Sequence, residues 1–480
     1  MQVMGFDAAL RDYLKKHENI VKQNARRNTI GQIMKDHLAW ILNNPAFDDR
    51  QRSTAGMIAA CKTEVLGFYA EYCPKCDKVI DIHYRSCKNH CCPNCQHTSQ
   101  TRWTMLRESE IIPNIPYFHV VLTLPHELNP LILANQRELL RILFRASSES
   151  VIQLSRDPKF LGATPGIISV LHSWTQELQP HFHIHMIISG GGLTKDGRFV
   201  RLKDGWAQRA KKADDPSHKE LSAEEAAQIR AFDEEDLDMM QGMSSEDQEP
   251  LQLTPVESSC TGSMPFFLPE RALTKLFRGK YLAYLSSLYH EHKLHFPGEL
   301  AYLEDPYAWS YFGSKLGSLK WVGHIVRTFH GNGNAIQYLA RYTFRTAISN
   351  SRILSYDGTN VTISCRNNAD YRNRREVTMN AYEFIRRFLI HVPPKSFARM
   401  RYSGFLSNAQ KTQNLRNIMD QVDQSDYIPE KIKETVECNI IELLHKLGFH
   451  STCPCCKSAL RIVGVGVHLG KRRKRALPAA

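Results

Sequence analysis

Hydrophobic positions early in the chain recur at helical spacing. Ile30, Ile33, Leu38, Ile41 and Leu42 approximate one apolar stripe, so residues 7–45 are predicted helical with the stripe as a packing face. The period then changes. Tyr117–Leu124 (YFHVVLTL) reads as a strand closed by Pro125. Ile167–Leu171 and His183–Ser189 read likewise, the second ended by Gly190-Gly191-Gly192. Strand-like residues resume at Trp321–Phe329. A helix is predicted over 334–347, a hairpin of Ile353–Ser355 and Val361–Cys365 around Asp357-Gly358, and a helix over Tyr382–His391. Strands and helices mixed in this way give an α+β sheet domain. Residues 207–262, with AEEAAQIRAFDEEDLDMM and then SSEDQEP, form an acidic, weakly amphipathic insertion.

Composition narrows the class. A chain of 480 residues exceeds one small core, and roughly two to four structural units are expected. No stretch approaches the apolar run needed to span a bilayer, and the start, MQVMGFDAALRDYLKKHENI, lacks a secretory apolar region. A cytoplasmic protein with no membrane partner is the expectation. Lys and Arg number 62 against 49 Asp and Glu, a net charge of +13 that suits a polyanionic partner. There are 13 Cys. Their clustering between Cys73 and Cys95, and again in Cys453-Pro-Cys455-Cys456, reads as metal binding rather than disulfides. The stretch Gly470-Lys471-Arg472-Arg473-Lys474-Arg475 is a basic tail.

Cys73-Pro-Lys-Cys76 and Cys92-Pro-Asn-Cys95 are two Cys-x-x-Cys knuckles. Each turns two thiolates toward one ion, and two knuckles complete a closed tetrahedral site. Cys73, Cys76, Cys92 and Cys95 are therefore expected to hold one structural zinc. Cys61, His83, Cys87, His90 and Cys91 lie nearby as packing residues, with a ligand swap or a second ion among them as the alternative, and Cys87 and Cys91 the named candidates. Lys75, Lys78, Arg85, Lys88, Arg102 and Arg107 surround the knuckles, and a zinc-braced basic module fits DNA binding.

Residues 181–189 read His-Phe-His-Ile-His-Met-Ile-Ile-Ser. On a strand, His181, His183 and His185 share one face while Phe182, Ile184 and Met186 enter the core. His183 and His185, directly followed by the apolar run, are the expected ligands of a divalent cation, with His181 as a third ligand or a flank. His119 and His172 lie on neighbouring strand-like runs and are read as core or surface residues. Tyr338 and Tyr342 stand at i and i+4 on the expected helix, as do Arg341 and Arg345. By themselves they describe an ordinary amphipathic helix. Beside a metal site, a phenolic oxygen can attack phosphorus and the arginines can offset phosphate charge. Gln337 is a candidate further metal ligand.

Taken together, these motifs resemble the two-tyrosine rolling-circle insertion-sequence transposases of the His-hydrophobe-His (HUH) endonuclease superfamily. The resemblance runs from about residue 30 to 410. It rests on Cys61-Lys-Thr…Leu66-Gly67, Ser86-Cys87…Cys92-Pro-Asn-Cys95, Tyr117–Pro125, Leu171-His-Ser-Trp174, His181–His185, Gly190–Gly192, Tyr338-Leu-Ala-Arg-Tyr342-Thr, Ala347-Ile-Ser-Asn350 and Glu383–Phe388…Phe405-Leu406. The chain departs from the family at Cys91, Phe182 and Phe344, where the family usually has His, Pro and His.

The resemblance implies an antiparallel-sheet HUH nuclease domain with flanking helices, preceded by a helical and Cys-rich zinc-binding domain. The expected divisions are 1–110 for DNA recognition, 111–410 for catalysis with the insertion at about 207–262, and 411–480 with the Cys cluster and basic tail. The implied reaction is a nick at single-stranded element ends, with Tyr338 or Tyr342 taking a 5′-phosphate link and a second transfer following. Mg²⁺ or Mn²⁺ at His183 and His185 would assist, and Arg341, Arg345, Lys88 and Arg102 would contact DNA. No Gly-x-x-x-x-Gly-Lys-Ser/Thr phosphate loop occurs in the sequence, so a host helicase is an expected partner. Two alternatives stand beside this reading: a plasmid or phage replication initiator of the same chemistry, and a non-enzymatic zinc DNA-binding regulator.

Overall fold

The expected apolar stripe is cut into short helices. The computed structural model describes residues 6–17, 29–108, 110–112, 115–202, 268–329, 343–366, 374–422 and 449–465. Within 7–45 it contains α1 (Phe6–Lys16), α2 (Ile30–Asp36) and α3 (Leu38–Asn43), with a break at His37. Thr29 caps α2 by accepting from the Gln32 amide. A reciprocal capping box of Asp48 and Gln51 starts α4 (Asp49–Ala59). Ile30, Ile33 and Ile41 are buried, whereas Leu42 is 48% exposed and so lies off the packing face.

A hairpin of β1 (Phe68–Cys73) and β2 (Lys78–Tyr84) follows, then α5 (Gln96–Glu108). The centre of the protein is built from β3 (Tyr117–Thr123), α6 (Asn129–Ala134), α7 (Gln136–Ser155), β4 (Thr164–Trp174), β5 (Pro180–Leu193) and β6 (Phe199–Arg201). Beyond the insertion come α8 (Glu270–His290), α9 (Pro306–Ser318) and β7 (Val322–Phe329). A second sheet contains β8 (Ile353–Tyr356), β9 (Asn360–Arg366) and β10 (Arg374–Asn380), and leads into α10 (Ala381–Leu389). The remaining elements are β11 (Met400–Gly404), α11 (Lys411–Gln421) and β12 (Arg461–Val465).

The largest sheet is antiparallel, in the order β11-β4-β5-β3-β7, with β6 pairing β5. The α+β expectation is met. Period-two alternation on β5 sends Phe182, Ile184, Met186 and Ile188 into a core with Leu139 and Leu143 of α7 and Phe277 and Tyr281 of α8. The opposite face carries the histidines. Ile187, Val170 and Ile168 share that face with Trp103 of α5. The glycines were expected to end β5 and do not, for the strand runs through to Leu193. The Gly190 amide donates to the Pro116 carbonyl at 2.7 Å, and a Cβ there would stand 2.5 Å from the Pro116 ring. Gly190 thus permits close backbone approach rather than a turn.

The expected hairpin at 353–365 gains β10 as a third strand in the order β10-β9-β8. Its apolar face meets the N-terminal helices. Ile30, Ile33, Met34 and Ile58 share one core with Val361, Ile363, Phe384 and Phe388. The Ile30 amide donates to Asn350 Oδ1 at 3.1 Å, and Gln51 Nε2 donates to the Leu389 carbonyl at 3.0 Å. Packing therefore crosses the expected boundary at residue 110. The expected 411–480 unit also divides. Leu415, Ile418 and Met419 of α11 pack on Leu193 and Phe405, whereas β12 joins the N-terminal hairpin in the order β12-β1-β2.

The expected insertion at 207–262 and the basic tail at 470–475 lie outside the described residues. So do Gln337, Tyr338, Arg341 and Tyr342; the expected helix over 334–347 is described only from Thr343, and helical backbone stops at Phe344. Among the described residues, no helix is long and apolar enough to cross a membrane.

Candidate functional site

His181, His183 and His185 lie on one face of β5, with successive ring centroids 4.9 Å apart. His183 and His185 are completely buried. The antiparallel register sets His172 of β4 directly opposite His183. Its ring centroid stands 5.5 Å from that of His183 and 4.5 Å from that of His185. His172, His183 and His185 each offer a ring nitrogen, and these atoms lie within 4.8 Å of one another. His181 is outside this trio; its ring sits 5.3 Å from that of His126. His172, read from sequence as a core or surface residue, is therefore the third member of the cluster, and His181 is not among its members.

Hydrogen bonds orient the rings. His183 Nδ1 lies 3.1 Å from the His181 carbonyl, which can only accept. The neutral ring then carries its proton on Nδ1 and its lone pair on Nε2. His185 Nδ1 is 2.8 Å from His119 Nε2. When His185 donates in that bond, its lone pair lies on Nε2, the nitrogen through which it could ligate a cation. Burial, together with the neighbouring histidines, holds the pKa values of His183 and His185 well below the usual histidine range. Burial lowers His119 to about 3 and His181 to about 4. Neutral imidazole is the form that ligates metal. Three imidazoles by themselves suit a divalent transition ion better than Mg²⁺, which prefers oxygen ligands.

The chain just after the expected tyrosine helix lies against this face. Phe344 packs on Trp103 with centroids 5.9 Å apart, in the cluster that contains Val170 and Ile187. Arg345 is half-buried, and its positive charge bears on His183 and His185. Burial and the charges of Arg352 and Arg366 lower its pKa to about 9, so it remains a cation at neutral pH. Arg399 donates to the Arg345 carbonyl at 2.8 Å and to the His90 carbonyl at 3.2 Å, tying this segment to the Cys-rich module.

In that module the expected cysteine set divides in two. Cys92 and Cys95 gather with Cys61 and Cys87, all buried; the Cys87 and Cys95 sulfurs are 3.7 Å apart. Cys73 and Cys76 gather instead with Cys453 and Cys456. The geometry of the hairpin forces this separation. Cys73 and Lys78 close its tip, and Phe68 and Tyr84 pair at its base beside Cys61 and Cys87. Six strand residues at roughly 3.3 Å each put tip and base about 20 Å apart. One ion cannot bridge them. Cys87, a named alternative ligand, belongs to the first group, and so does Cys61, for which packing was the first expectation and a ligand swap the alternative. Cys91 belongs to neither, and burial raises its thiol pKa.

Of the basic residues expected at DNA, Lys88 is exposed beside Cys87, and Arg102 lies on α5. Arg107 is committed to Glu110 at 2.7 Å, and Arg85 lies over the Tyr69 ring.

A buried histidine face on an antiparallel sheet thus stands beside a cysteine-rich module, and comparisons with known proteins say which class the pair belongs to. The family model described as "Putative transposase" matches residues 166–255 and 251–414, and that described as "Transposase zinc-binding domain", of the IS91 type, matches residues 33–124. The chain belongs to this transposase family and carries its zinc-binding domain. It is similar to "Putative transposase y4qJ" of Sinorhizobium fredii, at 29% identity over 403 residues, covering 83% of this chain and 85% of that one. It is also similar to the "Transposase for insertion sequence element IS801" of Pseudomonas savastanoi pv. phaseolicola, at 24% identity over 374 residues, covering 77% and 73%. No solved structure matches.

Proposed function

We propose that this transposase nicks single-stranded DNA at the ends of its element by tyrosine attack, in a rolling-circle reaction. The observation that carries the reading is the convergence of His172, His183 and His185 on one sheet face. The support beside it is the placement of Phe344 and Arg345, which follow Tyr342 by two and three residues, against that same face. A divalent cation held by the three imidazoles would polarise the scissile phosphate and offset its charge. The phenolic oxygen of Tyr338 or Tyr342 attacks phosphorus, and the bond to the 3′-oxygen breaks. The phenol loses its proton and the 3′-oxygen gains one, so a 5′-phosphotyrosine and a free 3′-hydroxyl result. One phosphodiester replaces another, and no outside energy source is needed. The second tyrosine then takes the later strand transfer.

His119 would act as a positioning residue, accepting from His185 Nδ1 and keeping the His185 Nε2 lone pair toward the cation. Arg341 and Arg345 would offset phosphate charge, and Lys88 and Arg102 would contact the DNA backbone. A host helicase would supply the unwound strand. A replication initiator would share the chemistry but act at an origin; a zinc-dependent regulator would have no use for the histidine trio.

The test is a covalent adduct. Labelled single-stranded element ends are incubated with protein and Mn²⁺, denatured, and run on a gel. Wild-type protein should give a protein–DNA band, and Tyr338→Phe/Tyr342→Phe should fold, bind DNA and give none. An adduct with the double variant would place the nucleophile elsewhere.

A further inference from the structure

We propose that Cys73, Cys76, Cys453 and Cys456 form a second structural zinc centre, which staples residues 449–465 onto the β1–β2 hairpin. The matched zinc-binding model ends at residue 124, so the C-terminal pair falls outside it. Cys76 and Cys453 are 377 positions apart, yet all four sulfurs lie within 4.8 Å of one another.

The distances suit zinc and exclude a disulfide. Cys73 Sγ is 3.5 Å from Cys456 Sγ, and Cys76 Sγ is 3.9 Å from Cys453 Sγ. A disulfide needs about 2.05 Å. Four thiolates on tetrahedral zinc at about 2.3 Å stand about 3.8 Å from one another. The two knuckles also share one backbone form. Each reads Cys-Pro-x-Cys, and each is followed by a residue with left-handed backbone, Asp77 at φ 50° and Lys457 at φ 56°. This reversal turns both sulfurs of a knuckle to one side. The Cys76 amide approaches Cys73 Sγ at 3.4 Å, the direction that favours a thiolate. Cys455 between the C-terminal pair is exposed and outside the cluster. Four thiolates on a divalent ion leave an excess negative charge. Lys78 is paired across from Cys73, and Arg461 across from Tyr72, so both cations stand on strands that adjoin the cluster.

The surroundings need such a staple. β12 pairs with β1 over five residues, from Tyr72↔Arg461 to Phe68↔Val465. The Glu71 carboxylate, completely buried, accepts from the His450 amide at 2.9 Å and meets His450 Nδ1 and His83 Nε2 at 2.9 Å each. Phe449 stacks on His83 with ring centroids 3.8 Å apart. Among the described residues, the apolar core beneath this sheet has only Phe6, Phe68, Ala70, Tyr72 and Val79 as buried members. A core of that size does not hold a separate strand by burial alone, and small units of this kind commonly take a metal. The N-terminal module is therefore completed by residues far along the chain.

The experiment uses the full-length protein, purified without chelator. Metal analysis should find two zinc ions per chain. Cys453→Ser/Cys456→Ser should retain one, and Cys61→Ser/Cys87→Ser should also retain one, each variant losing a different centre. Should a variant be insoluble, the wild-type protein answers by timed alkylation and mass spectrometry. Cys455 should react from the start, whereas Cys453 and Cys456 should react at least about tenfold more slowly until a zinc chelator is added, because bound thiolate is shielded. One zinc per wild-type chain, two zinc ions kept by Cys453→Ser/Cys456→Ser, or Cys453 and Cys456 alkylating as fast as Cys455 would each overturn the proposal. None of these outcomes depends on the tyrosine chemistry.

Discussion

Replacing His172 by Ala decides whether the cation site is built across two strands or along one. The three ring nitrogens of His172, His183 and His185 already lie within 4.8 Å of one another. Metal–nitrogen bonds of about 2.1 Å would set them roughly 3.0–3.4 Å apart, which ring rotations of about an ångström supply. A neighbour that only orients a ligand is worth about 10- to 100-fold in metal affinity. Loss of a ligand itself should exceed that. His172→Ala is therefore expected to weaken Mn²⁺ binding by more than about 100-fold, or more than about 2.8 kcal/mol at roughly 1.4 kcal/mol per tenfold. His172 is 1% exposed, so the cavity should also lower stability by about 1–3 kcal/mol, short of unfolding. Calorimetric titration with Mn²⁺ and adduct yield against Mn²⁺ concentration measure the effect, with circular dichroism as the folding control. His181→Ala is the comparison, because His181 stands outside the trio. If His172→Ala binds Mn²⁺ as wild type does while His181→Ala fails, the site runs along β5 alone and the cross-strand reasoning is refuted.

Three further outcomes are expected. Cys61→Ser should remove one zinc per chain and lower the melting temperature, since Cys61 groups with Cys87, Cys92 and Cys95; an unchanged zinc count and melting curve would refute that grouping. Gly404→Ala should cost more than about 2 kcal/mol in denaturant unfolding, because Gly404 has φ 63° and a Cβ would lie 1.7 Å from the Pro165 carbonyl oxygen; wild-type stability would refute the strain. His391 is buried, donates from Nε2 to the Leu178 carbonyl at 3.0 Å, and has its pKa lowered by burial to about 4. Its unfolded form takes a proton first as pH falls below about 6.5, so stability present above that pH is lost on the way down to about 4. Wild type should lose about 2 kcal/mol more than His391→Gln between pH 7 and 5, and parallel profiles for the two would refute it.

What could be read from sequence follows the range over which each signal acts. The alternation His181, Phe182, His183, Ile184, His185 is local, and a strand's two-residue period converts it directly into one polar and one apolar face. The structure has that division, with Phe182 and Ile184 in the main core and His183 and His185 opposite. His172 could not be found this way. Its role depends on the register of β4 against β5, set by the turn between Trp174 and Pro180 and by an irregularity between His172 and Trp174. One residue of slip would turn His172 to the other face. In an antiparallel pair with that turn length, the register that brings His172 opposite His183 sets both on the one polar face.

The cysteines failed for a related reason. Cys-x-x-Cys spacing says that two sulfurs face one ion, and both knuckles obey it. It says nothing about which knuckle shares that ion. Strand-like sequence between Cys73 and Cys87 already held the answer, because FYAEYC and KVIDIHY form a hairpin with one knuckle at its tip. A hairpin of that length cannot return its tip to its base. Each knuckle must then find other partners, and the unpaired cysteines at 61, 87, 453 and 456 supply two for each. Chain length between ligands restrains such pairing weakly, because doubling a closed loop adds only about 0.6 kcal/mol. Stiffness of the segment between two ligands is the stronger constraint: a short rigid hairpin separates the near knuckles, while a separation of 377 positions still allows Cys76 to meet Cys453.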